Sequence, residues 1–204
     1  GKVHAIMGPN GAGKSTIVKC LTGIHTPTSG SISVGGNRQE FSRPQDASDA
    51  GISAIQQEPS MFDDLTVAEN IFVGALPRGR FGLIDWKGMN AAAAEVLARI
   101  KCEDVDPDTP VRDLSLSRRQ MVEIAKAISK NPRVLILDEA TSALTSRDVE
   151  TVYGLLDELT ANNVACLFIS HRMQEVEELC DRLSVFRNGS HIHSFNKGDL
   201  SESE

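Results

Sequence analysis

Residues 8–16 constrain the fold of this chain more than any other segment. They read Gly8-Pro9-Asn10-Gly11-Ala12-Gly13-Lys14-Ser15-Thr16. The first eight fit the pattern G-x-x-x-x-G-K-[ST], whose glycines let backbone N–H groups turn inward around an anion. The apolar run 3–7 precedes the segment and a helical pattern over 14–21 follows it, so the loop joins a strand to a helix. We therefore predict a phosphate-binding loop rather than an accidental glycine-rich turn.

The residue types of this loop also predict its ligand. The N-terminus of the helix that begins near Lys14 adds the positive end of its dipole to the same place. Lys14 would pair with the outer phosphates of a nucleoside triphosphate, and the Ser15 hydroxyl would coordinate Mg²⁺.

Strands and helices alternate at both ends of the chain. Short apolar or alternating runs predict strands over 31–34, 52–55, 134–137, 165–169, 183–186 and 191–195, and the helical patterns there cover 146–161 and 173–182. Glycine-containing turns at 35–37 and 188–189 predict two hairpins. The alternation predicts an α/β fold, with a mostly parallel sheet flanked by helices and a small antiparallel part.

The middle of the chain reads differently. Helical periodicity covers 66–76, 88–101 and 117–130, joined by loops rich in Pro, Gly and Asp. We predict an inserted helical subdomain over 63–130, between two parts of one core at 1–62 and 131–204.

An acidic pair and a histidine follow two of the predicted buried strands. Asp138 and Glu139 end the run 134–137, at the edge of a parallel sheet where ligands bind. One carboxylate would hold Mg²⁺ and the other would polarise a water for attack on a phosphate. The alternative is an acidic helix N-terminus. His171 follows strand 165–169 and is either structural or within reach of the γ-phosphate.

Composition excludes several classes of protein. The formal charge of −7 on 204 residues argues against a broad nucleic-acid surface. The four cysteines form no C-x-x-C pair, and Cys20 and Cys166 lie in apolar stretches, as small hydrophobic residues do in a reducing compartment. No apolar run has the length of a bilayer span. We expect a soluble, cytosolic chain, and we interpret the start at Gly1-Lys2-Val3 as a piece of a longer polypeptide.

Several motifs in order along the chain resemble the ATP-binding-cassette ATPases, a family of P-loop NTPases with a RecA-like core. They are the phosphate-binding loop, Gln57, Leu114-Ser115-Leu116-Ser117-Arg118, Leu137-Asp138-Glu139 and His171. Stretches 65–71, 120–127 and 169–173 are similar to bacterial monosaccharide importers of the ribose and galactose type. The intact loop resembles the first of the two cassettes in such importers.

The resemblance implies a role for each matched residue. Gln57 would sense Mg²⁺ and the attacking water. Asp138 would support Mg²⁺, Glu139 would be the general base, and His171 would contact the γ-phosphate. The implied protein is a Mg²⁺-dependent ATPase.

The resemblance also implies partners. Residues 115–120, Ser115 and Ser117 among them, would bind the γ-phosphate of a facing cassette, with residues 142–145 across the seam. The pair, in one tandem chain or in two chains, would lie peripherally on the cytoplasmic face of the inner membrane. It would energise sugar import through membrane-spanning permease subunits and, indirectly, a periplasmic sugar-binding protein. Nucleic acid is not an expected partner.

This chain departs from the family pattern in three places. Ala140 replaces the proline that usually follows Asp-Glu, which should matter least. Ser117 stands where the signature usually has glycine, so its side chain either crowds the phosphate or donates a hydrogen bond to it. The strands that carry the adenine-stacking aromatic residue would precede Gly1. Two alternatives stay open: a regulatory cassette that binds ATP without useful turnover, and a soluble cassette that acts on nucleic acid or ribosomes.

Overall fold

A computed structural model describes residues 1–56, 60–78 and 82–198. Gln57 lies outside the described residues. The described strands are β1 (Val3–Met7), β2 (Ile32–Val34), β3 (Asn37–Gln39), β4 (Ile52–Ile55), β5 (Val134–Asp138), β6 (Ala165–Ile169), β7 (Arg182–Arg187) and β8 (Ser190–Asn196). The described α-helices are α1 (Lys14–Leu21), α2 (Pro44–Asp49), α3 (Val67–Ile71), α4 (Trp86–Arg99), α5 (Leu116–Ser129), α6 (Ser146–Ala161) and α7 (Met173–Leu179).

Six of the described strands form one sheet in the order β4-β5-β6-β1-β7-β8, while β2 and β3 pair separately and antiparallel. The pairs β5–β6, β6–β1 and β1–β7 are parallel, and β8 returns antiparallel to β7. This confirms the predicted α/β class. Asp138 and Ile6 both lie opposite Ile169, so β1, β5 and β6 end at the same edge of the sheet. That edge carries the residues that follow each strand.

The chain divides into two compact units. The first comprises Gly1–Ala54, Pro132–Glu139 and Leu156–Glu204, and the second comprises Ile55–Asn131 and Ala140–Leu155. The boundaries of these units differ from those of the predicted domains at 1–62, 63–130 and 131–204. The predicted domain ranges stay a prediction. No helix in the described part of the chain combines the length and the apolar character that crossing a bilayer requires.

The core of the first unit packs helix α1 and the β2–β3 region against the sheet. Its buried members are Ile6, Val18, Val34, Phe41, Ala47, Ile52, Ile136 and Ile169. Burying each of the Ile, Val and Phe side chains among them contributes about 1.5–3 kcal/mol. This core therefore holds the phosphate-binding loop between β1 and α1 on a rigid base.

Three helices, α3, α4 and α5, pack on one another in the second unit. Helix α5 buries the stripe Met121, Ile124 and Ile128, which follows the predicted helical period. Helix α3 begins with a capping box: the Glu69 backbone N–H donates to the Thr66 hydroxyl (3.2 Å), and the Thr66 N–H donates to the Glu69 carboxylate (2.8 Å).

Two predicted helices are too long, and one helix was not predicted. Helix α3 ends at Ile71 instead of 76, because the chain turns after it and Gly74 adopts φ 85°. Helix α7 ends at Leu179 instead of 182, because the Asp181 carboxylate accepts a hydrogen bond from the Val3 N–H (2.8 Å). The unpredicted helix is α2.

Candidate functional site

The loop at residues 8–13 has backbone geometry that favours glycine. Gly11 and Gly13 hold φ at 80° and 98°, in the left-handed region that other residues rarely adopt. A Cβ atom at Gly8 would collide with the Phe186 carbonyl oxygen. The buried Ala12 anchors the loop, since its N–H donates to the Pro9 carbonyl (3.1 Å). The sequence pattern therefore reflects a conformation that leaves the backbone exposed on one side.

Helix α1 begins directly after this loop with its first turn open to an anion. Gly13 is the N-cap and has no side chain to donate or accept, and the first turn contains no acidic residue. Its initial N–H groups and the positive end of its dipole therefore suit a phosphate. Ser15 and Thr16 are exposed in this first turn, where their hydroxyls are accessible.

The Lys14 ammonium lies across the loop. Its Nζ donates to the Gly8 carbonyl (2.6 Å) and to the Pro9 carbonyl (3.1 Å). Burial raises the pKa of the Asp138 carboxyl at the end of β5, and the Lys14 charge opposes part of that rise. The lysine thus links the loop to the acidic end of β5.

Burial dominates the electrostatics of Asp138. Burial raises the pKa of this carboxyl, the Glu139 charge raises it further, and the Lys14 charge opposes both. A desolvated carboxylate beside a second one is the kind of group that a divalent cation stabilises. In the described residues no group of three or more His, Cys, Asp or Glu side chains forms a metal cluster. Asp138 and Ser15 fit Mg²⁺, which protein sites commonly hold by one or two carboxylates together with substrate phosphates.

Glu139 and His171 meet at the edge where β5 and β6 end. His171 Nδ1 lies 3.3 Å from Glu139 Oε1. Glu139 adopts φ 51°, and its N–H donates to the Ile169 carbonyl (2.9 Å), which fixes this uncommon backbone between the two strands. Non-glycine residues in the left-handed region cluster at functional sites. The geometry therefore favours a joint role for the two side chains.

Sequence reasoning missed the residues that hold His171 in place. The buried Ser170 hydroxyl donates to the Glu175 carboxylate (2.8 Å) and accepts from the Arg172 N–H (3.0 Å). Arg172 also pairs with Glu175 through its guanidinium (3.1 Å). This network fixes the turn between β6 and α7. The only sequence signal was an acidic residue in the first turn of a helix, which is too common to single out.

A cavity of about 680 Å³ adjoins the phosphate-binding loop. Its walls include loop residues 11–13, the apolar side chains of Ile17 and Leu21, and Phe186. That volume suits a small-molecule ligand. It lies where the nucleoside part of a ligand held by the loop would find room, and no sequence pattern singled it out.

The remaining predicted site residues lie in the second unit. Ser115 is the N-cap of α5 and accepts a hydrogen bond from the Arg118 N–H (3.3 Å). The Ser117 hydroxyl donates to Asp148 Oδ2 (2.7 Å). The first unit thus brings together the loop, Asp138, Glu139 and His171, and the second unit carries the α5 residues.

The position of Cys20 in the wall of this cavity leads to a prediction for the reactivity of the four cysteines. Burial raises the pKa of Cys102 and Cys166 to about 11 and that of Cys180 to about 12, which leaves these thiols unreactive near neutral pH. Cys20 is only partly buried and lines the cavity. We expect iodoacetamide to alkylate Cys20 first and ATP to slow the reaction, as followed by mass spectrometry. Labelling of Cys20 at the same rate with and without ATP would place the nucleotide elsewhere.

The half-buried Asp138 makes the stability of the nucleotide-free protein depend on pH. Its pKa is raised on folding, so the folded state binds more protons and loses stability as the pH rises through and above the ordinary carboxyl range. We expect Asp138→Asn to raise the melting temperature at neutral pH by about 1–6 °C, and by less near pH 4. Thermal denaturation across this range measures the effect. The exposed Asp157→Asn is the matched control, and a lower melting temperature for Asp138→Asn would contradict the prediction.

Comparison with known proteins agrees with this geometry. A family model described as ABC transporter matches residues 1–142. Ribose import ATP-binding protein RbsA 1 of Mesorhizobium japonicum is 49% identical over 204 residues, which are 100% of this chain and 39% of that protein. Ribose import ATP-binding protein RbsA of Jannaschia sp. is 48% identical over 204 residues, again 100% of this chain and 39% of that protein. The chain therefore spans about two fifths of the length of these relatives.

A solved structure gives the same result for the fold. The crystal structure of a nucleotide-free ATP-binding cassette from an ABC transporter superposes with a TM-score of 0.82 at 25% identity, covering 96% of this chain and 80% of that one. The family match includes the phosphate-binding loop and the acidic pair that ends β5. On these grounds, the chain belongs to the ABC transporter family.

Proposed function

We propose that this chain is an ATP-binding and ATP-hydrolysing cassette that energises sugar import. One observation carries the enzymatic part: the phosphate-binding loop and the Glu139–His171 pair follow strands that end at the same edge of one sheet. A loop that binds phosphate needs only the glycines and Lys14. A carboxylate in contact with a histidine beside it supports hydrolysis.

The residues of the first unit bind and orient the nucleotide. The loop N–H groups and Lys14 hold the phosphates, and Ser15 and Asp138 would hold Mg²⁺. The family resemblance adds Gln57, which lies outside the described residues, to the predicted Mg²⁺ ligands. When bound, Mg²⁺ neutralises charge that develops on the phosphate oxygens. Lys14 exchanges its present carbonyl acceptors for phosphate oxygens, which form stronger, charge-assisted hydrogen bonds.

Glu139 is the proposed general base. Its carboxylate accepts a proton from the water that attacks the γ-phosphate, and the hydrogen bond to His171 orients it. His171 is largely exposed, with 64% of its side-chain surface accessible, so it is free to contact the γ-phosphate through its other ring nitrogen.

The active form is a pair of cassettes. The N-terminus of α5, at Ser115 and Ser117, binds the γ-phosphate of ATP held by the second cassette, with residues 142–145 at the seam. ATP therefore closes the pair, and hydrolysis opens it. The second cassette belongs either to the same polypeptide or to another copy.

The transport role is supported by the relatives named as ribose import ATP-binding proteins. The partners proposed here are membrane-spanning permease subunits and, indirectly, a periplasmic sugar-binding protein. The cassette would be peripheral on the cytoplasmic face of the inner membrane. The formal charge of −7 disfavours a nucleic-acid partner.

Two assays test the proposal on the full polypeptide that carries this sequence. Phosphate release from MgATP should exceed the rate without Mg²⁺, and vesicles with the permease and binding protein should take up sugar only with internal ATP. ATP binding without hydrolysis would favour the regulatory cassette instead. Hydrolysis without uptake would reject the transport role and keep the enzymatic one.

A further inference from the structure

A single carboxylate joins the first turns of two helices in the second unit. Asp148 is 7% exposed and accepts from the Ser117 hydroxyl (2.7 Å), the Thr145 hydroxyl (2.7 Å) and the Arg118 guanidinium (3.0 Å). The Thr145 hydroxyl in turn accepts from the Asp148 N–H (3.3 Å). Ser117 and Arg118 belong to α5, and Asp148 belongs to α6. The start of α5 is therefore tied to the start of α6.

Asp148 is the buried member of this charged network, whereas Ser117 and Arg118 are half-buried and Thr145 is exposed. Burial raises the pKa of Asp148, but the hydrogen bonds from Ser117 and Thr145 and the charge of Arg118 together hold it below its ordinary value. Arg118 forms a second ion pair with Asp104 (2.9 Å), so two carboxylates fix its guanidinium. Charge-assisted hydrogen bonds of this kind are stronger than neutral ones and restrict side-chain rotation.

The contact with Asp148 argues against one of the two roles that the sequence left open for Ser117, the donation of a hydrogen bond to the phosphate. A serine hydroxyl has one hydrogen to donate, and Asp148 receives it at 2.7 Å. The hydroxyl cannot donate the same hydrogen to a phosphate. In this conformation the Ser117 hydroxyl leaves an anion to the backbone N–H groups of the first turn of α5, so the orientation of that turn affects binding.

We propose that Ser117 is a positioning residue that acts through Asp148 to fix the N-terminus of α5 for the phosphate of the facing nucleotide. This inference rests on the proposed pairing of two cassettes. Glycine at this position would remove the Ser117 tie to α6 and leave only that of Arg118, whereas serine replaces conformational freedom by a hydrogen bond. Preorganised N–H groups bind an anion more tightly because less ordering is needed on binding.

A double-mutant cycle on the full polypeptide tests the inference. The variants Ser117→Ala, Asp148→Ala and their combination are made in a Glu139→Gln background, so that ATP is not consumed. Dynamic light scattering against ATP concentration measures pairing, either as association of copies or as compaction of one tandem polypeptide, and filter binding at low ATP occupancy, where few pairs form, measures the phosphate-binding loop. Thr151→Ala removes a hydroxyl that donates to the Arg147 carbonyl within α6 (3.1 Å), and it is the matched control.

We expect Ser117→Ala to weaken ATP-driven pairing about tenfold while ATP binding stays within about twofold, the loss expected for one hydrogen bond to a charged group. In the Asp148→Ala background the same substitution should cost much less, because the group that accepts the Ser117 hydrogen bond is already gone. Ser117→Thr, which keeps the hydroxyl, should restore pairing. Thr151→Ala should pair like the parent.

Three results would overturn the inference alone, and a fourth would reject the proposed function on which it rests. Normal pairing of Ser117→Ala would remove any role for the hydroxyl, and an equal loss in both backgrounds would mean that it contacts the phosphate directly. Equal losses in pairing and in ATP binding would indicate general unfolding. Failure of the parent to pair with ATP would instead reject the proposed function and, with it, this role.

Discussion

Replacing Glu139 with glutamine should reduce ATP hydrolysis by about 10²–10⁴-fold, the range that a general base contributes. Glutamine has the same shape and still accepts a hydrogen bond from His171, but it does not accept a proton from water. ATP binding should be unchanged, because Lys14 and the loop carry it. The ATP-bound pair should then accumulate, since nothing converts the nucleotide that closes it. Phosphate release and light scattering with MgATP measure the two effects.

The control for this substitution lies on a nearby helix. Glu177 is exposed on α7, and Glu177→Gln makes the same chemical change away from the β5 edge. It should hydrolyse ATP at the parent rate. Unchanged turnover in Glu139→Gln would show that another group takes the proton, and the contact between Glu139 and His171 would then be structural.

Local patterns predicted much of the first unit from the sequence. Strand β5 contains the apolar run Leu135, Ile136 and Leu137, which is typical of a buried strand or a buried helix. The short length of the run favoured the strand. The loop glycines predicted left-handed backbone that the structure has. Helix α2 was not predicted, because its six residues are too few to show a hydrophobic period. It begins where Asp46 accepts backbone hydrogen bonds from Ser42 and Arg43.

Long-range contacts account for what the sequence did not predict. The end of α7 depends on Asp181 meeting Val3, 178 positions away along the chain. The partner of Ser117 is 31 positions away, and neither residue indicates the other by type or spacing. Periodicity and caps are local properties, whereas these pairs form only after the sheet and the helices have packed. The hydrogen bond between Ser117 and Asp148 therefore could not be predicted from the sequence.

Replacing Lys14 with methionine should weaken ATP binding by about 1.5–3 kcal/mol, the scale of a charged hydrogen bond. That loss corresponds to an affinity about 10- to 150-fold lower. Methionine nearly matches the length of lysine but carries no charge, so the glycine backbone and the α1 dipole remain. The effect should be confined to ligands with outer phosphates, and titration calorimetry with ATP and with AMP measures that difference.

The same substitution acts on Asp138 in a predictable direction. The Lys14 charge lowers the pKa of that carboxyl against burial and against Glu139, so its removal should raise the pKa further. The melting temperature of nucleotide-free Lys14→Met should therefore fall more steeply than that of the parent as the pH rises from about 4 to 8. Lys19→Met, exposed on the same helix, should bind ATP and unfold like the parent. Equal losses for ATP and AMP would mean that the loop has collapsed and that Lys14 holds its shape more than it holds the phosphate.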